Sequence, residues 1–329
     1  MHIAIIGCGA IGRKRAQQLG KASLVHCVDT DLPRAEHLAS LKQGCVASTN
    51  WRQLFDRSGI DAVVIATPQD VQAQIARVAI AAGIHVLVEK PAARHADELR
   101  GLPELAAKHN VRVRVGFNHR YHRAFQQARR LVDSGILGPL LFVRARYGHG
   151  GRPGYDREWR AQPLRSGGGE LIDQGVHLID LARWFLGEFV EVTGFAHTYF
   201  WDMPVEDNGF MLLKTAAQQA AFMHVSCTEW KNTFSWELYG RDGKLQVEGL
   251  GGSYGVERLC WYKNLPDMGP PETTIWEYPM EDNSWGIEMA EFLEDIRISR
   301  EPSAGLHDAI AALAVVGKLY KDSGYDHRA

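Results

Sequence analysis

The sequence predicts an α/β protein: an N-terminal doubly wound parallel sheet, then an α+β domain built on an open, mostly antiparallel sheet. Three observations carry this. Short apolar runs alternate with helical patterns over residues 1–120. Those runs are rich in Val and Ile and apolar almost throughout, as strands covered on both faces are. From Glu188 to Tyr278, by contrast, strand-like runs follow one another with turns instead of helices between them.

In order, the first domain (1–120) shows strands at His2–Ile6, Leu24–Asp29, Cys45–Thr49, Ala62–Thr67, His85–Glu89 and Arg112–Phe117. Helical patterns fall between them at Ile11–Leu19, Pro33–Leu41, Val71–Ala82 and Ala96–Lys108. Asp31 before Pro33 suits a helix start, and Gly83 suits a helix end. Such alternation implies parallel βαβ units. The second domain (121–329) opens with a helix at Ala124–Ser134 and a strand at Leu140–Tyr147. A Gly- and Arg-rich loop, Gly148–Gly169, leads into a helix at Glu170–Leu186. Strands follow at Gly209–Thr215, Ala221–Thr228, Phe234–Tyr239 and Lys244–Glu248, the last two joined by the hairpin signal Arg241-Asp242-Gly243. Helices at Trp285–Ile298 and Leu306–Tyr320 close the chain, the last packing on either domain.

Composition excludes several classes. The 329 residues suit two domains, and 37 basic against 39 acidic residues leave a formal net charge of −2. A near-neutral chain without a long basic run has no electrostatic footprint for nucleic acid or anionic lipid. No apolar run reaches the ~20 residues of a membrane helix. The stretch Ile3–Ile6 is too short for a signal peptide, so a cytoplasmic protein is expected. The five cysteines are scattered without metal or redox spacing and read as small buried hydrophobes; no metal site is expected.

Gly7-Cys8-Gly9-Ala10-Ile11-Gly12 follows the first strand and opens a helix. Strand, G-x-G-x-x-G and helix together form a dinucleotide-binding fingerprint, with the pyrophosphate at the helix N-terminus. Asp29, ending the second strand, stands at the offset of a ribose-binding carboxylate, and it would repel a 2′-phosphate. NAD is therefore favoured over NADP, with Arg34 the one side chain placed to reach back. Thr67-Pro68, Glu89-Lys90-Pro91 and Asn118-His119-Arg120 end the fourth, fifth and sixth strands. Polar residues thus gather at the carboxyl edge of the sheet, where open α/β folds bind ligands.

On the Glu170–Leu186 helix, Asp173, His177, Asp180 and Trp184 share one face. Oxidising an alcohol requires a base for the hydroxyl proton, and histidine suits that role. Asp173 either binds substrate or orients the imidazole, and Lys90 stabilises the developing alkoxide. Asp180 reads as structural, holding His177 from behind. Each residue alone has an ordinary alternative: an exposed lysine, a helix-start charge, a satisfied core histidine. In the preceding loop, Tyr155 and Trp159 could stack on sugar rings. Arg160, with Arg152, Arg157 and Arg165, suggests either an anionic substrate group or a solvated charged loop. Asp207-Asn208 is a weaker candidate.

The glycine motif, Ala66-Thr67-Pro68, Glu89-Lys90-Pro91 and the stretch Gly168–Asp180 together resemble the glucose–fructose oxidoreductase, inositol dehydrogenase and rhizopine catabolism (Gfo/Idh/MocA) family. The resemblance implies a Rossmann domain and a second domain supplying substrate residues and the oligomer interface, as a homodimer or homotetramer. It implies that Lys90, Asp173 and His177 form the catalytic group, with His177 the proton acceptor. It also implies a polyhydroxylated substrate such as a sugar, uronate, inositol or nucleotide sugar. A dehydrogenase of another class, or a non-catalytic NAD-binding sensor, is the alternative.

Overall fold

The computed structural model describes residues 1–56 and 59–325. The chain divides into two compact units, Met1–Phe117 with Trp285–Leu313, and Asn118–Ser284 with Ala314–Ala329.

In the first unit the strands are β1 (His2–Ile6), β2 (Ser23–Val28), β3 (Val46–Ser48), β4 (Ala62–Ile65), β5 (His85–Val88) and β6 (Val113–Val115). They form one parallel sheet in the order β3-β2-β1-β4-β5-β6. The order reverses beside β1, and that is where such sheets bind ligands. β4 is buried at every position, as its unbroken apolar run requires. The helices are α1 (Ala10–Gln17), α2 (Leu32–Ser40), α3 (Gln69–Ala81) and α4 (Leu102–His109). The single helix expected over 96–108 is broken. A 3₁₀ turn, Ala96–Leu99, precedes α4, because Gly101 takes a left-handed φ of 74° and Pro103 starts the next helix.

The second unit opens with α5 (Arg123–Asp133) and carries β7 (Leu140–Gly148), β8 (Phe189–His197), β9 (Asn208–Thr215), β10 (Ala220–Ser226), β11 (Thr233–Gly240), β12 (Gly243–Glu248), β13 (Glu257–Lys263) and β14 (Glu272–Tyr278). Its eight strands run in the order β14-β13-β12-β11-β7-β10-β9-β8. Pairing is antiparallel except between β7 and β10, which are parallel. Along β7, Val143, Ala145 and Tyr147 face the core, while Phe142, Arg144 and Arg146 are exposed. On β9 and β10, Leu212 and Phe222 oppose each other and are likewise exposed. One face of this sheet therefore presents apolar side chains to solvent.

The segment expected as the helix Glu170–Leu186 follows α6 (Pro163–Ser166) and is not α-helical throughout. Leu171–Gly175 forms a π turn, and α7 (Val176–Leu186) continues from it. Glycines let the protein's own groups close on this start. A Cβ on Gly168 would lie 2.0 Å from the Tyr320 hydroxyl, and one on Gly169 would lie 1.9 Å from the Glu206 carbonyl oxygen. The fully buried Glu206 carboxylate accepts from the Gly169 and Leu171 amides at 2.9 and 2.8 Å and from Tyr320 at 2.8 Å. It thus satisfies amides that a helix start leaves open.

Two helices end the chain, α8 (Ser284–Ile298) and α9 (Leu306–Ser323). The second domain is not the continuous 121–329 that the change of texture suggests. α8 buries Met289 and Phe292 in the first unit's core with Ile3, Ile5, Leu38 and Leu87. On the same helix Glu288 accepts from the fully buried Arg15 at 2.6 Å, and Asp295 pairs with the fully buried Arg114. α9 is divided, Leu306–Leu313 belonging to the first unit and the remainder to the second. No described helix is long and apolar enough to cross a membrane.

Two outcomes follow from these buried charges. Arg15→Met leaves Glu89 and Glu288 without their cation and should lower the unfolding free energy by about 3–5 kcal/mol in denaturant titration. Burial pushes the Glu206 carboxyl up from 4.5 to about 7, against the opposing pull of its three donors. A raised carboxyl contributes stability below pH 4.5 that is lost as pH rises to about 7. The wild-type thermal midpoint should fall across that window, and Glu206→Gln should flatten the slope.

Candidate active site

The first unit carries a cradle with the form of a dinucleotide site. α1 starts directly after the glycine loop, at Ala10. A Cβ on Gly12 would sit 1.8 Å from the Gly7 carbonyl oxygen, so that glycine is required by the packing of helix on strand. Gly9 differs: a Cβ there would meet nothing within 4 Å. The protein itself does not require glycine at that position, but the close approach of a pyrophosphate does. The donor set fits too, since the helix N-terminus, with Ala10 and Ile11 in its first turn, has no side-chain cap and no acidic residue.

Asp29 is fixed by backbone amides on both oxygens, from Cys8 at 2.7 Å and from Asp31 at 2.9 Å. The Cys8 bond ties the expected ribose-binding carboxylate to the glycine loop. Arg34 pairs with Asp31 at 3.0 Å, an exposed ion pair that places its charge with a carboxylate of its own helix start. At the end of β4, the Thr67 carbonyl accepts from Gln72 at 2.9 Å. Thr67 and Pro68 are both partly exposed there.

The Glu89 carboxylate, expected beside the cofactor, accepts from Arg15 Nε at 2.6 Å. Arg15 also donates to Glu288, so the acid before Lys90 belongs to a buried charge network. Gly116 leaves the room for it, since a Cβ there would be 2.8 Å from Arg15 Nη2. Lys90 is partly exposed at the sheet's carboxyl edge, next to this anchored glutamate.

In the second unit, His177 lies in the first turn of α7 and is almost fully buried. Its ring stacks on His119, with centroids 3.7 Å apart and planes 24° apart. Asp173 lies in the π turn, and its Oδ2 accepts from Arg160 Nε at 3.1 Å. Such turns occur often at functional sites. Tyr147 and Tyr254 pack edge to face at 5.4 Å, and Tyr147 also lies 6.4 Å from the His177 ring. Burial pushes the Tyr147 phenol well above its ordinary value and Tyr254 up to about 12, so both remain protonated at neutral pH.

Other expected residues have structural partners. The Arg120 guanidinium binds Asp180 through two hydrogen bonds of 2.8 and 2.5 Å, both groups buried. Asp180 therefore holds Arg120. Asn118 donates to Ser284 at 3.0 Å and lies 3.3 Å from His119 Nδ1. Tyr155 is buried, its hydroxyl donating to Glu170 at 2.6 Å, so it offers no exposed ring for stacking. Trp159 remains partly exposed, beneath the Arg160 guanidinium at 4.6 Å. Arg152 pairs with Glu158 at 2.6 Å and Arg160 with Asp173, which offsets two of the four cations in that loop. Asp207 accepts from the amides of Tyr199, Phe200 and Trp201 and so holds that loop.

Sequence reasoning gave no role to Tyr147, Tyr254 or Glu170, and named His119 only as one of the polar residues at the sheet's carboxyl edge. The stacking on His177 is what distinguishes His119 from its two neighbours. Tyr147 follows from strand alternation as an inward residue of β7; Tyr254, in a short 3₁₀ turn, has no periodic signal. Among the described residues, no group of three or more His, Cys, Asp or Glu could hold a metal ion.

Comparison with known proteins bears on this geometry. Residues 1–117 match the family model described as "Oxidoreductase family, NAD-binding Rossmann fold", and residues 125–246 match the GFO/IDH/MocA C-terminal domain. The chain is 33% identical to the levoglucosan dehydrogenase of Pseudarthrobacter phenanthrenivorans over 228 residues, which is 65% of this chain and 58% of that one. It is 31% identical to inositol 2-dehydrogenase 4 of Saccharopolyspora erythraea, over 60% of this chain and 57% of that one. The chain thus spans less than two thirds of the length of these relatives. Inositol 2-dehydrogenase of Rhizobium meliloti is 26% identical over 96% of this chain and 94% of its own. A solved levoglucosan dehydrogenase in complex with NADH and levoglucosan superposes with a TM-score of 0.88 at 22% identity, over 98% of each chain. GenD2 from gentamicin A biosynthesis, in complex with NAD, gives 0.82 at 26% identity, over 98% of this chain and 94% of that one. With both of its halves matched, this chain belongs to the GFO/IDH/MocA family of NAD-binding oxidoreductases.

Proposed function

We propose that the protein is an NAD-dependent dehydrogenase or reductase acting on a hydroxyl-bearing carbon of a sugar, uronate, inositol or nucleotide sugar. The observation that carries this reading is the presence of Lys90, Asp173 and His177 together in a chain of this family. The relatives named for levoglucosan and inositol support a compact polyol ring as substrate.

Bound NAD supplies the hydride acceptor. His177 takes the hydroxyl proton as the carbon is oxidised, and its stacking on His119 fixes the plane of the imidazole. Asp173, held by Arg160, orients substrate or imidazole. Lys90 stabilises the developing alkoxide. Asp29 reads the ribose and disfavours NADP. The exposed apolar face around Phe142, Leu212 and Phe222 supports a homodimer or homotetramer formed through this sheet.

Reduction of NAD, followed by NADH absorbance, should appear with at least one member of a panel of anhydrosugars, uronates, inositols and nucleotide sugars. His177→Ala should lower kcat by about 100-fold or more while the Kd for NAD stays within about twofold. Parallel loss of NAD binding would contradict the role given to His177. Silence across the panel with tight NAD binding would favour a non-catalytic sensor. Asp29→Ala should narrow the preference for NAD over NADP by roughly tenfold; an unchanged ratio would show that another group reads the ribose. Light scattering should give a dimer or tetramer, and Phe222→Asp should shift it toward monomer.

A further inference from the structure

Scattered in sequence, three of the five cysteines converge beside the glycine loop. Cys27 lies on β2 and is fully buried, and Cys45 immediately precedes β3 and is partly exposed. β2 and β3 run parallel with His26 opposite Val46 and Cys27 opposite Ala47. Extending that register by one residue puts Cys45 diagonal to Cys27 on the same face of the sheet. Their sulfurs are 3.6 Å apart. Cys8, inside the glycine loop, is buried with its thiol donating to the Val28 carbonyl at 3.5 Å.

We propose that Cys27 and Cys45 form a peroxide-sensitive modification site, which closes to a disulfide and thereby weakens NAD binding. The second half rests on the NAD-binding reading given above. Closing the pair requires the sulfurs to approach from 3.6 Å to about 2.05 Å. Cys27 cannot move far, because β2 is hydrogen-bonded to strands on both sides. Cys45 can: β3 is a three-residue strand at the sheet edge, and Cys45 follows a turn closed by its own amide on the Lys42 carbonyl. The movement reaches the cofactor cradle through β3, since the Asp29 amide donates to the Ser48 carbonyl at 3.2 Å. Asp29 in turn holds the Cys8 amide. A shift of the edge therefore pulls on the carboxylate assigned to the ribose.

The chemistry divides between the two thiols. Cys45 is the one that solvent reaches, so its sulfur meets the oxidant first. The hydrogen-bonding contact with Cys27 holds the Cys45 thiol below its ordinary range, against its partial burial, and the same contact pushes Cys27 up. The Cys45 thiolate attacks one peroxide oxygen and the O–O bond breaks. This gives a sulfenic acid and hydroxide, which becomes water with the proton Cys45 gave up. The Cys27 sulfur then attacks Cys45; the S–S bond forms, the S–O bond breaks, and the second oxygen leaves as water with the Cys27 proton. Two electrons pass from the sulfurs to one peroxide, which yields two waters. Sequence spacing hides this pair, because adjacency across a parallel sheet leaves no short motif.

The test treats the reduced full chain with a few equivalents of hydrogen peroxide. The expected result is loss of two of the five thiols, a mass decrease of about 2 Da, and a Cys27–Cys45 crosslinked peptide, all reversed by dithiothreitol. The Kd for NAD, by fluorescence titration, should rise about fivefold or more on oxidation. Cys45→Ser should bind NAD as the reduced wild type does and show neither change after peroxide; Cys27→Ala should show no crosslink. A sulfinic acid on Cys45 without a crosslink, a disulfide elsewhere, or a crosslink that leaves the Kd unchanged would overturn the proposal. If the reduced protein fails to bind NAD at all, the NAD reading is what fails, and the thiol count still decides whether the pair closes.

Discussion

Arg15 has no exposed surface, so its guanidinium has left water entirely and has to be met by anions where it lies. Two meet it, Glu89 from the end of β5 and Glu288 from α8, each at 2.6 Å. The ring of Trp285 adds a face 4.3 Å from the same cation. This contact decides several things at once. It fastens the helix behind the glycine loop to the strand end that precedes Lys90. It also recruits a helix from the far end of the chain into the first unit's core. Desolvation makes the arrangement unforgiving, since removing Arg15 leaves two carboxylates without their cation. The first unit's carboxyl edge is thus held by buried charges that meet one another.

The second unit follows the same logic with different residues. Asp180 and Arg120 close on each other inside the protein, fixing α7 to the segment that carries His119. Glu206 satisfies the amides that open the π turn, so the backbone at Asp173 is set by a carboxylate that stays out of the chemistry. His177 is then oriented between a helix anchored at its start and a stacked imidazole. Asp173 and Arg160 pair beside this imidazole, with Trp159 against the guanidinium.

Much of this could be read from residue order. Period-two alternation and all-apolar runs placed the six strands of the first sheet and five of the eight in the second, without β8, β13 and β14, because burial on one or two faces writes itself into the pattern. The strand, glycine loop and helix were legible as one unit because the fingerprint demands particular residues at particular offsets, and Asp29 closes on that loop through the Cys8 amide. Residue order hid the buried partners of Glu89 and Arg120 for one reason: a polar residue at a ligand edge looks the same whether it faces a ligand or a buried partner distant in sequence. Glu89 meets Glu288's partner, and Arg120 meets Asp180; neither distance along the chain has a signature. The return of α8 to the first unit was hidden likewise, since an amphipathic helix shows that it has an apolar face but not which core receives it. The π turn was invisible because α-periodicity across it remains nearly correct.

The central claim is that a hydride passes between a substrate carbon and NAD held at the glycine loop, and the most direct measurement follows that hydrogen. A substrate deuterated at its reactive carbon, incubated with the protein and NAD, should yield NADH carrying the deuterium, with a rate below that of the unlabelled compound. NADH formed without the label, or product formed with no reduction of NAD, would contradict the account.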